Sequence, residues 1–134
     1  MSEETTSSHT HPNPLPCQSI LFRALRSKSW IDEANHRATA DAFRRRSRAN
    51  GGDDDGLSVN LRSVEACRAV LKKCQGVVSL HVGRVRDIGL EVRTDPEDAD
   101  HAFIIGLPYP EDDPDTLETL AGALAEQSRL AWRP

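Results

Sequence analysis

Apolar residues alternate with their neighbours over residues 19–25. Ile20, Phe22 and Ala24 fall on one side, and Leu21, Arg23 and Leu25 on the other. A period of two predicts a strand with two distinct faces, and Arg23 sits between apolar neighbours on one of them. An arginine there is either paired or points into a cleft, because an unpaired cation is costly to bury. Leu57-Ser58-Val59 reads as a second short strand and residues 77–82 as a third. Ile88, Leu90 and Val92 alternate as a fourth. Residues 101–106 are apolar enough for an interior strand, and Asp95-Pro96-Glu97-Asp98 reads as a turn.

Helical spacing takes over elsewhere. Ser63 suits an N-cap and Gly76 a C-terminal cap, with Val64, Cys67, Val70, Leu71 and Cys74 as the stripe between them. Near the end, Asp115 with Glu118 three residues on matches a capping box. Leu117, Leu120, Ala121, Leu124, Ala125 and Ser128 then repeat as one amphipathic face. Residues 31–48 fit two patterns. Ile31, Ala34, Ala38 and Ala42 suit a helix, while Ala42-Phe43-Arg44 suits a short strand after a loop. The Gly51-Gly52-Asp53-Asp54-Asp55-Gly56 run reads as an exposed turn or flexible insertion. Residues 1–18, rich in Ser, Thr, His and Pro, read as a disordered tail. The expectation is a single small α+β domain over residues 19–134: about five short strands packed by two or three helices.

Composition narrows the class. The chain has 134 residues, enough for one core and little more. No apolar run approaches the roughly 20 residues of a spanning helix. The polar N-terminus shows no secretory pattern, and three cysteines cannot all pair within the chain. Together these lead to an expectation of a cytoplasmic protein with reduced thiols and no membrane partner. The net charge of −4 conceals two opposed blocks. Residues 19–90 carry 14 basic and 8 acidic side chains, and residues 91–118 carry Arg93 against 10 acids.

That segregation points to the candidate chemistry. Arg37, Arg44, Arg45, Arg46 and Arg48 fall within twelve residues, opposed by Asp41 alone. Guanidinium groups suit phosphate through paired hydrogen bonds. If residues 42–46 are extended, Arg44 and Arg46 point the same way, as a phosphate clamp requires. The competing reading is a solvated surface paired with the acidic block. Sparse aromatic residues and an acidic total argue against nucleic acid. His81 and His101 lie on predicted strands and would face one cleft if those strands are neighbours. Their spacing establishes no Ser-His-Asp or Cys-His order. Cys67 and Cys74 read as buried, inert thiols. Cys17 with His9 and His11 matches no closed zinc pattern. The acidic stretch Glu111-Asp112-Asp113 has no calcium-loop spacing and reads as the approach to the last helix.

Phe43-Arg44-Arg45-Arg46, Asp55-Gly56-Leu57-Ser58-Val59, Ile88-Gly89-Leu90-Glu91-Val92 and His101-Ala102-Phe103-Ile104 together resemble a small bacterial family without an assigned activity. The order of elements is also similar to the ADP-ribosyltransferase-like group, including RES-domain toxins that consume NAD. That resemblance implies that Arg23 fills the arginine position of an opening strand and Ser58 a polar motif on a later one. The chain departs from the pattern in two ways. No Gly-rich Arg-Trp-Asn motif lies near residue 56, and Glu126, the available glutamate, falls on the final helix. The expectation is an anion-binding cleft built from Arg23, Arg44, Arg46, Ser58 and His101. Its ligand would be a nucleotide such as NAD, with no metal. The alternative is a non-catalytic, antitoxin-like module that binds a protein partner.

Overall fold

A computed structural model describes residues 15–48 and 56–134. Most of the expected tail, with His9 and His11, and most of the Gly-Asp insertion lie outside the described residues. The chain forms strands β1 (Ile20–Leu25), β2 (Ile31–Asp32), β3 (Arg37–Ala38), β4 (Leu57–Asn60), β5 (Gly76–His81), β6 (Glu91–Asp95), β7 (Asp98–Ile105) and β8 (Arg129–Trp132). Helices are α1 (Val64–Arg68), α2 (Val82–Asp87) and α3 (Pro114–Gln127), with 3-10 turns at Lys28–Trp30 and Ala40–Phe43. The expected α+β class is what folds. One antiparallel sheet runs β6-β7-β4-β1-β5-β8, and β2 pairs with β3 in a separate two-stranded ribbon.

The period-two pattern sorts the sheet into two faces. Leu21, Leu25, Leu57, Val59, Val78, Leu80, Val92, Ala102 and Ile104 are buried on the first face. They pack in one core with Leu117, Ala121, Leu124 and Ala125 of α3 and with Ala42 and Phe43 of the second 3-10 turn. Phe43 is fully buried, and truncating such a side chain to alanine costs ~3–5 kcal/mol. The second face carries Phe22, Ser58, Asn60, His101 and Phe103, as the registers Phe22↔Asn60, Asn60↔His101 and Ser58↔Phe103 require. It is only partly covered, with Cys67 of α1 over one end. The open part of this face is where a site has room.

Several expectations change at this level. Residues 31–48 form neither a helix nor a strand at 42–44. They fold as the β2–β3 ribbon followed by the 3-10 turn, which buries Ala42 and Phe43 and leaves Arg44 extended at φ −78°, ψ 129°. The helix after Ser63 is five residues long rather than running to Cys74. After the Ala69 N–H donates to the Glu65 carbonyl, Val70 and Leu71 donate to carbonyls only three residues back. The coil tightens and ends there, leaving Val70 exposed. Ile88 is not on a strand. It caps α2, whose Val82 and Val85 are buried one turn apart, and Gly89 follows in the left-handed region at φ 88°. The N-cap of α3 is Asp113 rather than Asp115. Its carboxylate accepts from Thr116 N at 3.1 Å, and Pro114 occupies the first turn, where its missing N–H costs nothing. His81 and His101 share no cleft, because β1 and β4 stand between their strands. Among the described residues no helix is long and apolar enough to cross a membrane.

Candidate functional site

The site begins where β1 and β4 part. Their pairing is limited to Phe22↔Asn60. Beyond it the Arg23 guanidinium inserts from the core face of β1. Its Nε donates to the Ala42 carbonyl at 2.6 Å and its Nη1 to the Ser58 carbonyl at 2.8 Å. The same group lies 5.9 Å from the centre of the Phe43 ring. Its partners are thus carbonyl dipoles and a ring face, not a carboxylate. Burial pushes the Arg23 pKa down to about 10, helped by the positive charges of Arg26 and Arg46. A desolvated cation among like charges is an unfavourable arrangement that an anion would relieve.

Arg23 is shared between two adjoining cavities. The larger, about 320 Å³, is lined by Arg23, Arg26, Arg44, Arg45, Arg46, Asp41, Trp30 and the 56–58 segment. The smaller, about 160 Å³, lies on the second face, where Ser58, Asn60 and His101 line it with Cys67, Phe22 and Arg23. Arg23 and Ser58 line both cavities. Arg44 and Arg46 line only the larger and His101 only the smaller. Gly56 makes the wall between β4 and β7 possible. Its φ is 108°, and a side chain there would press on the Ile104 carbonyl.

The arginine run divides its attention. Arg44 is held by two carboxylates: Asp41, and Glu118 of α3, which accepts from Nη2 at 2.9 Å. That bond keeps the Glu118 carboxyl below its ordinary value. Arg44 and Arg46 therefore are not two uncommitted prongs, because the extended segment starts after Phe43 and α3 passes close to its first residue. Arg45 donates to the Leu107 carbonyl at 2.8 Å and lies 3.7 Å over the Tyr109 ring, which Arg48 also faces at 3.9 Å. Arg48 pairs with Asp112 at 2.7 Å. Part of the basic block thus meets the acidic block, while Arg23 and Arg26 stand over the cavities.

On the second face a hydrogen-bond relay runs across three strands. The Ser58 hydroxyl is hydrogen-bonded to His101 Nε2, and His101 Nδ1 lies 2.9 Å from Asp95 Oδ2. The Asp95 carboxyl is held below its ordinary value, first by the Glu97 N–H and then by His101. An ionised carboxylate can only accept, so Nδ1 carries a proton, and in the neutral imidazole Nε2 accepts from the Ser58 hydroxyl. Phe103 meets the imidazole edge-on at 4.7 Å between centroids and fixes its plane. Asp95 reaches the ring because Thr94 pairs with Ala102, so strand alternation puts the next residue of β6 on the face that carries His101, beside a register irregularity in the β6–β7 pair. Asp95, Arg26 and Asn60 were not singled out in the sequence. The Asp-Pro-Glu-Asp turn was the available signal for Asp95, but its register was not.

Cys67 lines the smaller cavity as a buried thiol. Burial pushes the Cys67 thiol up to about 12. No group of three potential metal ligands occurs among the described residues. No family model, curated protein or solved structure matches the chain.

Proposed function

We propose that the chain binds an anionic small molecule in the arginine-lined cleft, with Arg23 as the anchoring cation and a nucleotide pyrophosphate, such as that of NAD, as the ligand. The observation that carries this reading is Arg23 itself: a half-buried guanidinium whose partners are two backbone carbonyls and whose charged neighbours are Arg26 and Arg46. A pyrophosphate placed there supplies the counter-charge. The cavity of about 320 Å³ falls at the lower end of the ~300–1,000 Å³ range of small-molecule sites. That suits the phosphate-bearing part of a nucleotide better than a whole dinucleotide. In this reading Ser58, which lines both cavities, hydrogen-bonds a ribose hydroxyl. Arg44 supports the wall through Glu118 and Asp41 rather than binding first.

Calorimetric titration with NAD, ADP and inorganic pyrophosphate tests the reading. Binding of at least one of these is expected, weakened ~10-fold or more by Arg23→Gln, as loss of a charge-assisted hydrogen bond implies. No heat with any of the three, or equal affinity in the variant, would contradict it. That result would leave recognition of a protein partner as the remaining reading.

A further inference from the structure

We propose that Ser58, His101 and Asp95 form a nucleophile–base relay that cleaves an ester bearing an anionic group. Three features of the geometry carry it. The hydroxyl, the imidazole and the carboxylate are linked in the order a hydroxyl nucleophile needs, with the proton on Nδ1 and Nε2 free to accept. Ser58 is exposed at a cavity that His101 also lines, so a carbonyl carbon can approach the hydroxyl. Asn60 lies two residues along the same strand. Its Oδ1 accepts from Arg62 N at 2.8 Å, which turns the amide so that Nδ2 is its remaining donor. Asn60 and Arg23 line the same cavity as Ser58 and bring donors to it for a developing oxyanion.

The chemistry balances with water alone. The Ser58 oxygen attacks the ester carbon while its proton passes to His101 Nε2. The C–O bond to the alcohol breaks, its electron pair leaves on oxygen, and that oxygen takes the proton from His101. Water then attacks the acyl-serine, gives its proton to His101, and the Ser58 oxygen departs and recovers that proton, releasing the acid. Asp95 is a positioning residue: it holds the imidazole in the tautomer that accepts. The nucleophile stands on the relay alone. The anionic substrate class rests on the anion-binding reading above, because Ser58 and Arg23 line both cavities.

The test uses the full chain and a neutral fluorophosphonate probe, with adducts located by mass spectrometry. A single adduct on Ser58 is expected. It should be absent in Ser58→Ala and slowed ~100-fold or more in His101→Ala, the usual scale of general-base assistance. Added imidazole should restore part of the His101→Ala rate, which a merely structural histidine would not allow. Asp95→Asn should slow labelling while its circular dichroism matches wild type. No Ser58 adduct in folded wild-type protein overturns the relay, even where ADP binding is intact. For the substrate class, mono-4-nitrophenyl glutarate should be hydrolysed ~10-fold faster in kcat/KM than 4-nitrophenyl acetate, the worth of one charge-assisted contact. Labelling of Ser58 with no such preference would overturn the anionic substrate class and count against the anion-binding reading, while leaving the nucleophile standing.

Discussion

Arg23 shows how much one side chain can decide. Its planar fork spans two carbonyls, Ala42 on the 3-10 turn and Ser58 on β4, which a lysine ammonium cannot do from one position. Arg23→Lys should therefore weaken anion binding and also cost ~1–3 kcal/mol in chemical denaturation, because one buried carbonyl loses its donor. Unchanged stability would mean that the fork is not fixed by those carbonyls. A second expectation concerns Cys67, which is 2% exposed with its thiol pushed to about 12 by burial. In timed alkylation it should react only as fast as the protein unfolds, whereas exposed Cys17 should react at once. At this scale the sequence was informative about Arg23, since a charged residue inside an alternating apolar strand declares itself. It was silent about Asp95, whose role depends on how β6 pairs with β7, which no local pattern encodes.

Among the elements, legibility followed length and the clarity of the period. β1 and α3 were readable because six and fourteen residues carry one unbroken pattern, and β7 was readable from His101 onward, while its polar start at Asp98 read as a turn. α2 had no signal strong enough to read, and Ile88 and Leu90 mimic the start of a strand with Val92, although Gly89 marks a helix end just before β6. β8 and the β2–β3 ribbon were missed for a different reason: at four and two residues they are held by long-range bonds rather than by pattern. Ser128 makes that clear. Its hydroxyl accepts from Ala38 N at 3.0 Å and donates to the Ala125 carbonyl at 2.8 Å, tying the ribbon to the end of α3. Because Ser128 is fully buried, Ser128→Ala strands the Ala38 N–H and should cost ~1–3 kcal/mol. Urea denaturation would show the shift, and a variant as stable as wild type would argue against this tie.

The whole molecule is organised by where its charges meet. Arg44 with Glu118, Arg48 with Asp112 and Arg86 with Glu91 cross between distant or successive segments and hold each carboxyl below its ordinary value. Carboxylates depressed on folding add stability above their unfolded pKa and lose it as the pH falls through the folded one. The urea midpoint should accordingly stay level from neutral pH to about 5 and fall below about 4, where carboxylates begin to protonate. A midpoint as high at pH 3 as at pH 7 would show these pairs to be idle. With those pairs closed, Arg23 is left as the desolvated cation over the cleft, and the account stands or falls on it. The most direct measurement is a nuclear magnetic resonance titration that follows the arginine Nε–H signals as NAD, ADP and pyrophosphate are added in turn, read with whichever binds. The Arg23 signal should shift and saturate with ligand, while that of Arg133, paired with Glu33 at the far end of the chain, should not. A saturating shift at other arginines with Arg23 unmoved, or no shift at all, would contradict the account.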